Sequence, residues 1–504
     1  MRKYLLVLLS LVIPAALWAQ PSVEQLFQQL KSNPQALRIF LHKMPKGGEL
    51  HYHWDGSDYP ENIAYMINHD HYCYDASILG ASTNITHCTP TEQLNNLGSK
   101  PSLYRTLIES WSLTGKAKNF LEANRHFFQV FLGLEAVTAK YSGAQLVEDL
   151  NRAAEEDEDY MEMAYILDLP KMISLGNTIH YQGDFSELLK QLNASPKTGQ
   201  IIHNIVDATS RYYHQAQQQM QCGTPSAQPG CRVKTRFIFA AMRNMPAATI
   251  FTQLYIGFKV AQLSPYVVGV DLVGPEADFN DIHTYTLQMK MVQFLHQKFP
   301  NTHIRLHAGE LSLNDSSPDY MRSHIDQAIN IAGVQRIGHG TDIAYETNAL
   351  QVLHEMAKRH IAVEQLLTSN EKLLGIKGKE HPLPLYLRFH VPVVLSTDDE
   401  GILRTTLTNE FYKAVTRYNL SYSQIKAMVR NVPTYSFLPG KNLWVDLSSY
   451  KVVKACANQP LGNKHPSIAC RKFLSKSEKA QMQWRLEQEL RQFEKTIVKE
   501  FATN

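Results

Sequence analysis

Residues 44–56 read MPKGGELHYHWDG, a short run that ends in two histidines separated by one residue. On a β-strand, residues i and i+2 point to the same face, so His51 and His53 can direct both imidazoles at one point, as two ligands of one metal ion must. Asp55 continues this alternation, and Gly56 allows the chain to turn away. Two surface histidines on an edge strand would give the same pattern, so its interpretation depends on the rest of the chain.

Short apolar segments of strand type alternate with helical periodicity along most of the chain. The predicted strands are Gly48–His53, Tyr160–Leu167, Thr235–Ala241, Val267–Val273, His303–His307, Val334–Gly338, Ile361–Leu366 and Val391–Ser396. Strands that alternate with helices predict parallel βα units, and eight such units predict an α/β fold of the (β/α)8 or TIM-barrel type. The functional site of such a barrel lies at the C-terminal ends of its strands.

Polar motifs close four of the predicted strands. They are Asp271-Leu272-Val273-Gly274, His307-Ala308-Gly309-Glu310, Gly338-His339-Gly340 and Ser396-Thr397-Asp398-Asp399-Glu400-Gly401. Any one of these polar residues could be a hydrogen-bonded core residue. In a barrel, however, all four motifs and the His51/His53 pair meet at the same end, which favours a functional site.

The chemistry that these residue types permit is metal-assisted hydrolysis. Three imidazoles and a carboxylate suit Zn²⁺, a borderline ion that binds nitrogen and oxygen. A bound zinc ion lowers the pKa of its water to about 7 and so supplies a nucleophile at neutral pH. A histidine beside that water can take or steer its proton, and a carboxyl group of raised pKa can protonate the group under attack.

A secretory signal peptide is predicted at residues 1–19, from a basic start, an apolar run over Tyr4 to Val12 and small residues up to Ala19. The run is shorter than the roughly 20 residues of a membrane span, so we expect a secreted protein, periplasmic or extracellular, without membrane association. The net charge of +3 gives no electrostatic case for nucleic-acid binding.

The remaining chain is divided into a helical segment at 20–43, a barrel at 44–445 with an insertion at 57–100, and a C-terminal extension at 446–504 that contains a helix. The helical part of the first segment, residues 22–43, is a candidate homodimer element. An even number of cysteines behind a signal peptide favours disulfides over free buried thiols. The pairs closest in sequence are preferred, namely Cys73–Cys88, Cys222–Cys231 and Cys456–Cys470.

Several of these motifs resemble the signatures of the adenosine deaminase family and occur in the same chain order. They are the residues at 51–56, 307–310, 336–340 and 397–399, and the resemblance extends over residues 44–438. It implies a barrel of the metal-dependent hydrolase type that converts adenosine or 2′-deoxyadenosine to the inosine form plus ammonia. The secretory start, residues 44–47, residues 271–274 and the Cys73/Cys88 insertion resemble the extracellular branch, the adenosine deaminase-related growth factors.

The resemblance also implies a role for individual residues. One zinc ion per chain would be bound by His51, His53, His307 and Asp398. Glu310 would protonate purine N1, and His339 would orient and deprotonate the water. The purine nucleoside would be contacted by Asp399 at N7, by the Gly274 backbone N–H at N3 and by Asp55 near the ribose. Because Asp398 and Asp399 are adjacent on an extended strand end, they cannot both face the metal.

Two departures from the family pattern concern the pocket wall. Trp54 stands where the family usually has a smaller apolar residue, and residues 364–370 lack the usual Cys-Pro. Two alternatives to an adenosine deaminase therefore stay open. One is another aminohydrolase of this barrel, for adenine or a modified nucleoside. The other is a receptor-binding or growth-regulating protein that uses the barrel as a scaffold, although a scaffold need not keep the full set of polar residues.

Overall fold

The computed structural model describes residues 21–83, 86, 88–115 and 117–502, so the predicted signal peptide lies outside the described residues. Eight parallel strands form one sheet in chain order. We number these barrel strands one to eight: Gly47–His53, Glu158–Tyr165, Lys234–Met242, Val267–Val273, His303–Ala308, Arg336–His339, Ala362–Gln365 and Val393–Leu395.

The sheet closes because its first and eighth strands also meet. The backbone N–H of His53 donates to the carbonyl of Asp398 at 2.9 Å, and the N–H of Asp398 donates to the carbonyl of His51 at 3.3 Å. Tyr52 and Asp398 thus form a parallel bridge just beyond the end of the eighth strand. The predicted (β/α)8 barrel is confirmed.

Strand bounds agree with the sequence-based ones to within one or two residues at most ends, and the sixth and eighth strands begin two residues later than predicted. Val391 illustrates the cause, because its N–H donates to the carbonyl of Tyr386 and closes the preceding helix instead of joining the ladder. Val334 likewise donates to the carbonyl of Ala328. Both side chains are buried, so apolar periodicity alone could not separate them from the strand.

Helices connect the strands and cover the sheet. They are Pro60–Ile67, Pro101–Ser110, Phe120–Glu155, Leu169–Gly176, Phe185–Ala194, Pro196–Gln219, Ala247–Leu263, Phe279–Lys298, His324–Gln327, Ala349–Arg359, Leu367–Leu373, Leu383–Arg388, Glu400–Leu403, Leu407–Tyr418 and Tyr422–Tyr435. Among the helices of the described residues, none is both long and apolar enough to cross a bilayer.

The three predicted disulfides are present and tie segments outside the barrel strands. Cys73–Cys88 links a short hairpin, Cys73–Asp75 with Gly80–Ser82, to the segment that follows it. Cys222–Cys231 closes the turn after the helix Pro196–Gln219, and Cys456–Cys470 joins the C-terminal extension to its helix Ile468–Leu474. These crosslinks confirm the pairing preferred from the sequence.

The terminal helices pack against each other and against the barrel. The helices Val23–Leu30, Pro34–Lys43 and Glu478–Ala502 bury an aromatic cluster of Phe27, Phe40 and Phe493 against Tyr422. The apolar face of the N-terminal segment is therefore used within the chain. A homodimer through this segment stays a prediction.

Gly48 is the position in the first strand that tolerates no side chain. Its φ is +135°, and a Cβ placed there would lie 1.7 Å from the carbonyl oxygen of Tyr160, its partner in the second strand. We expect Gly48→Ala to cost at least about 2 kcal/mol, because both strain and a backbone clash oppose it. Gly98→Ala is the matched control, since no heavy atom lies within 4 Å of a Cβ there. Thermal unfolding of both variants checks this, and equal midpoints would contradict the assigned constraint.

Candidate active site

Four side chains from three parts of the barrel converge at the C-terminal end of the strands. They are His51, His53, His307 and Asp398. Nε2 of His53 lies 3.3 Å from Nε2 of His51 and 3.2 Å from Nε2 of His307. Oδ1 of Asp398 lies 3.1 Å from Nε2 of His51 and 3.3 Å from Nε2 of His53. The structure thus brings together all four predicted metal ligands.

The donor set and its spacing fit a zinc ion. In a tetrahedral site with metal–nitrogen distances of about 2.0 Å, neighbouring ligand atoms lie about 3.3 Å apart. The four ligand atoms lie within 4.8 Å of one another, and His51, His307 and Asp398 are buried. Asp398 has a left-handed φ of +70°, an uncommon conformation that turns its carboxylate onto the histidines.

Two carboxylates orient the ligand histidines from behind. Oε2 of Glu364 lies 2.9 Å from Nδ1 of His51, and Oδ2 of Asp271 lies 3.0 Å from Nδ1 of His307. Each carboxylate accepts a hydrogen bond from Nδ1–H, so the other ring nitrogen, Nε2, has no proton and directs its lone pair at the centre. Both residues stand in motifs noted in the sequence, but their role in orienting the histidines was not predicted. The signal was a carboxylate inside a buried parallel strand, which is costly unless it is paired.

Two arginines keep these carboxylates ionised. Arg305 donates to Glu364 at 2.9 Å and to Asp271 at 2.7 Å, and Arg336 donates to Glu364 at 2.6 Å. Burial alone would raise the pKa of Glu364, but the two guanidinium groups and His51 outweigh it and hold the pKa well below its usual range. Burial also acts to raise the pKa of Asp271, but the positive charge of Arg305 outweighs it, and the pKa is lowered.

Three of the four candidate ligands, His53, His307 and Asp398, favour the protonation states that metal binding requires. Burial lowers the pKa of His53, and it lowers the pKa of His307 to about 4. Burial opposes ionisation of Asp398, but hydrogen bonds with His51 and His53 overcome it and lower the pKa. Neutral imidazoles and an ionised carboxylate are the forms that coordinate a cation.

His339 lies beside this centre, and its tautomer follows from a chain of hydrogen bonds. The backbone N–H of Leu383 donates to Nδ1 of His381 at 3.2 Å, so the proton of neutral His381 is on Nε2. That Nε2 donates to Oδ1 of Asn370 at 3.0 Å, which directs the amide Nδ2 to Nδ1 of His339 at 2.9 Å. His339 therefore carries its proton on Nε2.

The Nε2 corner of this buried ring faces Glu310. Nε2 of His339 has no hydrogen-bond partner among the described residues, and it lies 3.7 Å from Oε1 of Glu310. Burial lowers the pKa of His339 well below its usual value, so the ring is neutral. Its backbone has a left-handed φ of +66°, which turns the side chain inward at the end of the sixth strand.

Glu310 is held by a carboxylate that sequence reasoning missed. Gly309, with φ of +70°, makes the turn after the fifth strand, and its N–H donates to Glu276 at 2.9 Å. The N–H of Glu310 donates to the other Glu276 oxygen at 2.8 Å. Burial raises the pKa of Glu310 well above its usual range, and the negative charges of Asp398 and Glu276 raise it further. Glu310 therefore favours the protonated form more strongly than an exposed glutamate does.

The three residues predicted to contact substrate lie around this centre. Burial and the charge of Asp398 raise the pKa of Asp399, and a Cβ on Gly56 would lie 2.0 Å from Asp399 Oδ1. Burial also raises the pKa of Asp55 to about 6, although the N–H of Ile166 opposes the shift. Gly274 follows the fourth strand with φ of +104°.

Trp54, one of the two departures in the sequence, points away from the metal ligands into the hydrophobic core. Its ring centroid lies 5.5 Å from that of Phe237, 5.9 Å from that of Tyr212 and 6.5 Å from that of Tyr165. The bulky residue therefore fills space among neighbouring aromatic side chains. The second departure is the segment 364–370. In it, Glu364 orients His51 and Asn370 orients His339.

We predict one zinc ion per chain, lost when a ligand is removed. His51→Ala and Asp398→Ala each delete one of four converging donors, so elemental analysis of the purified variants should find no zinc and assays no turnover. His354→Ala is the control, because His354 is an exposed histidine on the helix Ala349–Arg359. Full zinc content in either ligand variant would overturn the assignment.

Comparison with known proteins gives consistent results. Residues 195–444 match the family model for adenosine deaminase. The adenosine deaminase of Clostridium kluyveri is 30% identical over 173 residues, which is 34% of this chain and 44% of that protein. The chain spans about half the length of the curated relatives it matches.

Solved structures resemble the whole barrel. The adenine deaminase of Arthrobacter aurescens has a TM-score of 0.50 and 18% identity, over 78% of this chain and 94% of that one. The N6-mAMP deaminase of Arabidopsis has a TM-score of 0.50 and 18% identity, over 80% and 96%. At such identities the likeness supports the fold alone. The matched residues 195–444 contain His307, Glu310, His339 and Asp398, and the chain belongs to the adenosine deaminase family.

Proposed function

We propose that the protein is a zinc-dependent adenosine deaminase that converts adenosine and 2′-deoxyadenosine to inosine and 2′-deoxyinosine with release of ammonia. One observation carries the proposal: three histidine nitrogens and an aspartate oxygen converge within 4.8 Å, beside a buried carboxyl group of raised pKa and a neutral histidine. Family membership supports it, since the matched residues include most of this set.

Zinc and a proton donor have separate tasks in this reaction. When bound, a zinc ion would supply an activated water at neutral pH, because it lowers the pKa of that water to about 7. Hydrolysis forms a C6–O bond and breaks the bond between C6 and the amino nitrogen. As the C6–O bond forms, electrons move onto purine N1. Glu310 can relieve that charge by donating a proton to N1, because burial and neighbouring negative charges raise its pKa and favour the protonated form.

His339 orients the attacking oxygen in this proposal. Its Nε2–H has no partner among the described residues and faces the side on which His51 and His307 present their nitrogens, with ring centroids 5.0 and 5.1 Å away. In this tautomer the ring donates a hydrogen bond and does not accept one. The second half of its predicted role, deprotonation of the water, requires the other tautomer.

Asp399, Gly274 and Asp55 remain the proposed substrate contacts. With its raised pKa, Asp399 can hold a proton and donate a hydrogen bond to purine N7, which is an acceptor. Gly274 offers a backbone N–H for N3 at the end of the fourth strand, and Asp55 would face the ribose. Adenine or an N6-substituted nucleotide would share the contacts at purine N1, N3 and N7. Adenine differs by lacking the ribose, and the nucleotide differs by its phosphate and its N6 substituent.

Secretion is also part of the proposal. Three disulfides support it, since such bonds persist in oxidising compartments. The proposed binding partner is a small purine nucleoside, and we propose no nucleic-acid or membrane partner. The proposed assembly is a homodimer.

Glu310→Gln tests the proposed acid. The variant keeps shape but cannot transfer a proton, so we expect zinc to remain while kcat falls at least about 10²-fold. The assay follows the ultraviolet change as adenosine becomes inosine, with adenine and N6-methyl-AMP as competing substrates. Glu380→Gln, on an exposed turn, is the matched control. Near-normal turnover with zinc in place would remove Glu310 from the mechanism, and wild-type inactivity on every purine would favour the scaffold alternative.

His381 offers a test of the tautomer. His381→Phe removes the donor to Asn370 Oδ1, so the amide can reverse and give His339 the other tautomer. We expect kcat to fall about 10-fold or more with KM and zinc content little changed. His381→Gln restores a side-chain N–H and should recover part of kcat. Equal losses in the two variants would assign His381 a packing role only.

A further inference from the structure

A second group of carboxylates lies outside the proposed active site. Asp58 follows the turn Trp54–Gly56, and Glu148 and Asp149 lie on the long helix Phe120–Glu155. One oxygen from each lies within 4.8 Å of the others. We call these three residues the acidic cluster. No role in the proposed deaminase reaction uses them.

One arginine partly neutralises the acidic cluster. Arg152 lies 2.7 Å from Oδ1 of Asp149, 3.0 Å from Oε2 of Glu148 and 3.3 Å from Oε2 of the neighbouring Glu400. Among the ion pairs between described residues, no other Lys or Arg contacts these carboxylates. Three carboxylates therefore share one guanidinium group, and the fourth carboxylate nearby, that of Asp58, has no ion pair with it.

Asp58 is the residue that this arginine does not satisfy. It is 3% exposed, and neither of its carboxylate oxygens accepts a hydrogen bond from the described residues. Oδ2 of Asp149 also lacks a partner, whereas Oδ1 accepts from Tyr52 at 2.7 Å. An unpartnered buried carboxylate is costly, so it needs either a cation or a proton.

We propose that the acidic cluster binds a divalent cation, with Ca²⁺ as the best fit. Its donors are oxygens only, the ligands that hard cations prefer. Ca²⁺ lies 2.3–2.6 Å from its ligands, so oxygens on opposite sides of it are up to about 5 Å apart, in agreement with the separations here. The site differs in donor type from the histidine centre, where nitrogen favours zinc.

A cation here would tie two segments of the active-site end together, the turn that carries Asp58 and the long helix. Asp58 comes three residues after Asp55, and the acidic cluster joins this turn to the long helix. The turn also packs against the helix Glu400–Leu403 that follows the eighth strand, because a Cβ on Gly401 would lie 2.0 Å from the carbonyl oxygen of Asp58. The site is therefore structural, and it holds in place the turn that carries Asp55.

The competing explanation is a proton shared within the acidic cluster. Burial raises the pKa of Asp58 well above its usual range, and the charges of Asp149 and Glu148 raise it further. A shared proton would leave stability insensitive to added cations at fixed pH. The two explanations therefore differ in one measurement, the response of the folded protein to Ca²⁺.

The test uses the full protein, stripped of metals and reloaded with one equivalent of zinc, and adds CaCl₂ at pH 7. Wild type should gain about 3 °C in thermal midpoint at 100 times the dissociation constant, and calorimetry should show one Ca²⁺ per chain. Asp58→Asn should lose both responses and keep its zinc. Asp319→Asn removes a carboxylate that is 82% exposed and should respond like wild type.

A second variant guards against misfolding of Asp58→Asn. Glu148→Gln lies at a partly exposed position and should weaken Ca²⁺ binding at least about 10-fold, as read by displacement of Tb³⁺ luminescence. No Ca²⁺ response in wild type, or an unchanged response in Asp58→Asn or Glu148→Gln, would overturn the proposal and leave the shared proton. Since midpoint and calorimetry do not involve turnover, this result is independent of whether the deaminase proposal holds.

Discussion

The hydrogen bonds between the first and eighth barrel strands are the contact on which the site depends. They join His51 and His53 to Asp398, residues from opposite ends of the barrel sequence, through their own backbones. The same residues supply side-chain donors 3.1 to 3.3 Å apart. The contact that closes the barrel thus also brings these candidate metal ligands together. His307 joins them because the fifth strand delivers it to the same end.

Inside the closed barrel, charge is used for orientation. Arg305 and Arg336 bridge Glu364, Asp271 and Glu162 in a fully buried network. Buried ion pairs gain little net stability, because desolvation offsets attraction. Their effect here is positional: each arginine fixes a carboxylate, and two of these carboxylates fix the rings of His51 and His307. The orientation of the two histidine rings is therefore fixed by the carboxylates and arginines that lie behind them.

The sequence predicts what periodicity and strand ends determine. The alternation of His51 and His53, and polar residues directly after apolar strands, were enough to predict the barrel and to group nine site residues at one end. The partners behind them depend on how neighbouring strands are aligned. Glu364 reaches His51 across the barrel, and Glu276 reaches the turn at Gly309 from a different loop. No local pattern records such distances. The left-handed backbone of His339 is equally invisible in its residue type.

The position of the arginines divides the carboxyl groups of this end into two kinds. Asp271 and Glu364 lie within the strands, beside Arg305, and have lowered pKa values. Glu310 and Asp399 lie just beyond the strand ends, where no ion pair with Lys or Arg forms among the described residues, and burial raises their pKa values. Contact with an arginine therefore separates the groups that orient ligands as anions from the groups that can donate a proton. Arg305 and Arg336 lie within the fifth and sixth strands, which places them beside the first kind. One barrel end can thus hold a cation and an acid together, because Arg305 and Arg336 pair with the carboxylates behind the ligands and form no ion pair with Glu310.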